Sequence, residues 1–267
     1  MIYIFYMSIN NPNNIVVFDL DETLGYFFEL SIFWNAINKY FNSYLSDQHF
    51  INVLEIYPEF LRPKIISILK YVLKNKKNKK CSKIMIYTNN QGSKKWTQLI
   101  CKYFDSKLKT KIFDQIISAF KVNGKKIELC RTSHEKSISD LIKCTNIPEN
   151  TRICFLDDQY HSLMEHDNVY YINMKAYEHS LPFEVMALRY YNNINNNVNK
   201  DEFIDFIVKH MNSSNYNLVD KSIEEQNIDN IISKKTLSHL KDFFKDTKKS
   251  NKTKKHKLKS NNKTRRV

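Results

Sequence analysis

The sequence predicts an α/β fold built on a parallel sheet, and three observations carry that reading. Five short runs rich in β-branched and aromatic residues read as strands buried on both faces: "IVVFDL" (15–20), "KIMIYT" (83–88), "QIISAF" (115–120), "RICFLDD" (152–158) and "VYYIN" (169–173). Helical patterns separate them, at 63–73 with a proline at the start, at 93–104 and at 134–143. Strands alternating with helices join in parallel, with the helices flanking the sheet.

Taken in order, residues 1–13 are a lead-in to the first strand, and 14–182 hold the alternating elements. "MIYIFYM" is too short for a signal segment and lacks a basic start and a cleavage site, and Met7 is an alternative start to Met1. The stretch 26–61 departs from the alternation. Its "FFELSIFWNAINKYFNSYL" packs aromatics at mostly helical spacing, so it reads as a small helical insert after the first strand. It either covers the site as a cap or lies on the sheet as ordinary helices. Residues 183–244 continue with "PFEVMALRYYNNI", "DEFIDFIVKHM" and "NIISKKTLSHLKDFF", a helical C-terminal extension with a polar linker at 212–217. The end, 245–267, is almost free of apolar residues and is expected to be disordered.

Composition narrows the chemistry. Three glycines cannot write a G-x-G-x-x-G or a P-loop, which excludes dinucleotide and nucleotide sites of those kinds. No apolar run reaches the roughly 18–20 residues of a membrane helix. Of the net charge of +14, residues 241–267 contribute twelve Lys/Arg against two Asp. The body is therefore nearly balanced. The basic end suits a polyanion such as nucleic acid, a nuclear import signal or simple solubilisation. Five scattered cysteines with no C-x-x-C imply reduced thiols in an intracellular protein, cytoplasmic or nuclear, rather than a zinc site.

In parallel sheets ligands bind beyond the carboxyl ends of the strands, so the polar residues there carry the functional reading. The first strand runs into D-L-D-E-T, where Asp19 and Asp21 project to the same side. Two such carboxylates stay ionised together only with a cation or strong donors between them. A calcium loop is excluded, because its sixth position would be Leu24 and its twelfth Leu30. The second strand ends at Thr88 and Asn89, the fourth at Asp157 and Asp158, and Lys136 lies between, at the start of a helical stretch.

In this order, D-x-D-x-T, a strand ending in Thr, Lys and an acidic pair, the chain resembles the haloacid dehalogenase superfamily of phosphotransferases over roughly residues 14–175. The D-L-D-E-T-L wording and Arg62–Pro63 look most like the RNA polymerase II C-terminal-domain phosphatases and their NLI-interacting-factor-like relatives. Gly25-Tyr26 departs from that branch, and T-N-N-Q-G (88–92) leans toward relatives acting on nucleic-acid ends or small phosphate esters. The composition and basic end also resemble those of proteins from large AT-rich DNA viruses.

The resemblance implies a Rossmannoid sheet and an Mg²⁺-dependent phosphomonoester hydrolase. Asp19 would be the nucleophile and Asp21 the acid/base. Thr88, Asn89 and Lys136 would bind phosphate, with Arg131 or Lys126 as alternatives to the lysine. The metal would be held by Asp19, the Asp21 carbonyl, Asp157 and Asp158. The implied substrate is a phosphoprotein, with a nucleic-acid end or nucleotide as the alternative, and a catalytically inactive binding module as the reading from another class. His161 and His166 read as surface histidines. Trp34 and Trp96 read as core or lid packing, with a nucleobase platform as the alternative.

Overall fold

The computed structural model describes residues 13–193 and 198–245. The lead-in up to residue 12, the choice between Met1 and Met7, and the basic segment 246–267 lie outside the described residues. The chain runs β1 (Asn14–Phe18), α1 (Phe28–Tyr40), α2 (Asp47–Ile56), α3 (Ile65–Lys77), β2 (Lys83–Tyr87), α4 (Lys94–Leu108) and β3 (Gln115–Ile117). It continues with β4 (Lys121–Val122), β5 (Lys125–Lys126), α5 (Ile138–Thr145), β6 (Arg152–Asp157) and β7 (Val169–Asn173). Three helices close it: α6 (Phe183–Tyr191), α7 (Lys200–Asn212) and α8 (Ile223–Lys245). This is an α/β fold of Rossmannoid type.

Five strands pair in parallel in the order β3-β2-β1-β6-β7. The chain builds outward from β1 through β2 to β3, then returns to β1's other edge with β6. The strand order therefore reverses beside β1, and the crevice beyond its carboxyl end is where such sheets bind ligands. Every residue of β1 is buried. Its side chains alternate between two cores. Val16 and Phe18 join the cluster formed with α1 to α4 and α6 to α8, while Ile15 and Val17 face Leu141 of α5, Phe155 and Met164. The edge strands differ from the expectation, since β3 and β7 are only partly buried: each has one neighbour instead of two.

The insert is helical, as α1 and α2, and it is part of the core. Phe33, Trp34, Phe50 and Leu54 are buried in the same cluster as Val16 and Phe18. The extension behaves alike, with Phe203 of α7 against Tyr40 of α1 (4.9 Å between rings) and Phe243 of α8 in that cluster. Serines cap two of the helices: Ser46 accepts from the His49 amide at 3.1 Å, and Ser93 from that of Trp96 at 3.3 Å.

Two expectations are corrected, and one hairpin is added. The helix expected over 134–143 starts at Ile138, because Ser137 caps it by accepting from the Asp140 amide at 3.1 Å, so Lys136 lies in the preceding loop. A two-residue turn at Asn123–Gly124 joins β4 to β5, with φ of 49° and 76°. The N-G pair is the sequence signal of such a hairpin. Finally, Cys130 and Cys144 form a disulfide across 14 residues of chain, because α5 brings its last turn back beside the loop. Only Cys81, Cys101 and Cys154 are free thiols, all buried.

Glu29 at the start of α1 is completely buried. One oxygen accepts from the Leu181 amide at 3.2 Å and the other has no partner. Burial raises its carboxyl from 4.5 to about 7. A raised folded pKa means that the native state holds the proton more tightly than the unfolded chain. The associated stability is complete below about pH 4.5 and is lost as pH rises through about 7. Glu29→Gln keeps the shape without the charge. It is expected to stabilise the protein by about 1–2 kcal/mol near pH 8 and to change little near pH 5, measured by thermal unfolding at the two pH values.

Candidate active site

Asp19 directly follows β1, and its amide donates to the Leu156 carbonyl of β6 at 2.8 Å, which extends the ladder one residue past the strand. The chain then turns sharply. The Glu22 amide bonds the Gly25 carbonyl at 2.7 Å, and Glu22 itself takes a left-handed conformation, φ 59°. A side chain on a residue of that conformation is costly unless the surroundings hold it. Arg62 does the holding. It is 1% exposed, its Nη2 donates to the Glu22 carbonyl and, at 2.9 Å, to that of Lys175, and its Nε donates to the Thr23 carbonyl at 2.7 Å. Arg62 is thus the clamp of the acidic loop. Gly25 is also explained. A Cβ there would collide with the Phe60 carbonyl and lie 2.6 Å from the Phe27 ring.

The other strand ends meet this loop. Asp19, Asp21, Thr88, Asn89, Lys136, Asp157 and Asp158 all line one cavity of about 140 Å³. Lys136 is 2% exposed and bridges two carboxylates, with Nζ 2.5 Å from Asp19 Oδ1 and 2.6 Å from Asp157 Oδ2. Its ammonium also lies over the Tyr87 and Phe155 rings, at 5.8 and 5.9 Å. Burial would strip an unpaired lysine of its proton, but Asp19 and Asp157 outweigh that and hold its pKa above the ordinary value. Desolvation raises the Asp19 carboxyl in spite of Lys136. Asp157 rises to about 7 for the same reason.

Asp21 points elsewhere. Its Oδ2 accepts from Asn90 Nδ2 at 2.7 Å, and burial, then the charge of Asp19, raise its carboxyl to about 7. One residue of the DxDxT loop thus sits against an ammonium and the other against a neutral amide. Asp158 is aligned by Thr23, whose hydroxyl donates to Oδ1 at 2.9 Å and accepts from the Asp158 amide at 3.1 Å. Asp157 Oδ1 accepts from the Gln159 amide at 2.9 Å.

Asp19, Asp157 and Asp158 each offer an oxygen within 4.8 Å of the others. Such a set of carboxylate oxygens suits a hard divalent cation such as Mg²⁺. The Asp21 carboxylate is not among these three.

Several expectations need correction. Arg131 is fully buried and does not reach the pocket. It donates to the carbonyls of Thr88, Ser118 and His134 at 3.1, 2.9 and 3.0 Å, tying the loop that carries Lys136 to the end of β2. Lys126 is exposed on the hairpin. His161 is 4% exposed, its Nδ1 3.2 Å from Glu135 and its Nε2 3.6 Å from Asp157. Burial, then the nearby lysine, lower its pKa, and the ring lies against Asp157. His166 is exposed, as expected. Asn89 lines the pocket with a buried, unpartnered Oδ1, while Asn90 makes the contact to Asp21. Nothing in the T-N-N-Q-G string distinguishes the two asparagines; alternation fails once the chain leaves the strand. Trp34 and Trp96 are buried, as core packing requires, and both also line a second, larger cavity.

No protein-family model, curated protein or solved structure matches the chain.

Proposed function

We propose that the protein is a divalent-metal-dependent phosphomonoester hydrolase of the haloacid dehalogenase type, working through an aspartyl phosphate on Asp19. One observation supports the reading: the loop after β1, the end of β2, the loop before α5 and the end of β6 bring two carboxyls, a hydroxyl, a buried ammonium and an acidic pair to one small cavity. Each alone has an ordinary structural explanation. Their convergence on one cavity at the switch point does not.

In the first half-reaction an Asp19 oxygen attacks phosphorus and the phosphorus–oxygen ester bond breaks. The departing oxygen takes the proton of the Asp21 carboxyl, which a pKa of about 7 keeps available. In the second, Asp21 removes a proton from water, the hydroxyl attacks phosphorus, and the acyl-phosphate bond opens to release inorganic phosphate and free Asp19. Lys136 offsets charge on the phosphoryl oxygens, and the Thr88 hydroxyl holds one of them. Bound Mg²⁺ would supply further charge neutralisation, held by Asp19, Asp157 and Asp158.

Hydrolysis of p-nitrophenyl phosphate tests the reading. Turnover is expected with Mg²⁺, to disappear with EDTA, and to return when Mg²⁺ is added back. Absence of turnover in folded protein would count against the general phosphatase.

A further inference from the structure

A second cavity of about 890 Å³ adjoins the phosphate pocket. Asp21, Glu22 and Asn90 line both, so the two spaces share a wall. The shared residue decides the direction. If Asp21 is the acid that protonates the leaving oxygen, the leaving group must lie on its side, and that side is the larger cavity. What the cavity is made of then describes the substrate beyond its phosphate.

Its floor is aromatic. Trp34 and Trp96 both pack edge-on against Phe50, each at 5.2 Å between ring centroids and near-perpendicular. Two further rings stand open at its rim: Phe28 is 58% exposed and Tyr44 93% exposed, with the Lys95 ammonium 5.6 Å above the Tyr44 ring. Carboxamides are interleaved with the rings, among them Asn35 and Gln91. Among the described residues, the only charged lining residue beyond Asp21 and Glu22 is Lys95.

Resting on the phosphatase reading, we infer that this cavity takes a nucleobase, and that the substrate is a nucleoside phosphate, free or at the end of a single strand. Flat rings stack on any base, and carboxamides match the in-plane donors and acceptors of a base edge. Phosphopeptide readers instead present clusters of arginine, and a single lysine is a poor substitute. The volume lies within the ~300–1,000 Å³ of small-ligand pockets. The basic residues of 241–267 favour the approach of a polyanionic strand.

The chain has only two tryptophans, and both line this cavity, so its intrinsic fluorescence reports on the cavity directly. The experiment titrates the full chain with ligands lacking the scissile phosphate, exciting at the red edge of the indole absorption. The probes are a nucleoside, a short unphosphorylated single-stranded oligonucleotide, inorganic polyphosphate and an unphosphorylated serine peptide. Saturable quenching by the nucleoside or the oligonucleotide, weakened roughly 5- to 100-fold in Phe28→Ala or Tyr44→Ala, is the expected result. Both positions are solvent-facing, so the variants keep the core. Response to the nucleoside as well as the strand identifies a free nucleotide; response to the strand alone identifies a strand end. Quenching by the peptide, equal quenching by base-free polyphosphate, or no response to either base-bearing probe would overturn the inference. The readout needs no catalysis, so base binding in a protein that hydrolyses nothing would defeat the phosphatase reading while leaving the base site intact.

Discussion

Asp19→Asn is expected to lose Mg²⁺-dependent phosphatase turnover by roughly 10³-fold or more while the protein stays folded. The amide matches the carboxylate in shape, and its oxygen can still accept from Lys136, which lies 2.5 Å from Asp19 Oδ1. What it cannot do is attack phosphorus and leave again as a carboxylate. Turnover of p-nitrophenyl phosphate, read beside circular dichroism of the same sample, separates lost chemistry from lost structure. A variant within tenfold of wild type would place the nucleophile elsewhere and sink the mechanism.

Lys136→Met is expected to lose both stability and activity. The ammonium touches Asp19 and Asp157 in a site where the lysine and Asp157 are 2% and 1% exposed. Removing one partner of such a buried pair leaves uncompensated charge and costs about 3–5 kcal/mol. On the phosphatase reading, turnover also falls by roughly 10²–10³-fold, the scale of one lost group stabilising developing charge. A divalent cation can take over much of the lysine's charge toward the carboxylates but does not replace its contact to the phosphoryl group. Mg²⁺ should therefore raise the melting temperature of Lys136→Met more than that of wild type without restoring turnover. Wild-type turnover in the variant would remove Lys136 from the chemistry.

Much of this site was legible because strand ends obey simple rules. A run such as "IVVFDL" announces its own burial, and parallel topology sends chemistry to its carboxyl end, where Asp19 and Asp21 line one cavity although their side chains meet different partners. The residues that support the site were not legible. Arg62 acts 40 residues from the Glu22 carbonyl it holds, and Thr23 acts 135 residues from Asp158. No local pattern encodes such pairings. His161 was read as a surface residue on the habits of histidine, but β6, the loop after it and Glu135 enclose it. Arg131 carries the same lesson in reverse: its position suggested a phosphate contact, and three backbone carbonyls claim it.

By itself the sequence determined the α/β class, the strands at the centre of the sheet, the helical character of the insert and extension, and the cluster of acids at the strand ends. These follow from short-range physics: burial periodicity, capping and the alternation of side chains along extended backbone. Only the tertiary structure decided that the insert belongs to the core, that Cys130 meets Cys144, that Lys136 lies between two carboxylates, and that a wide aromatic cavity opens behind Asp21. Each depends on where distant segments come to rest. That is set by how helices pack on the two faces of the sheet, a sum of many weak contacts that no single stretch of sequence contains.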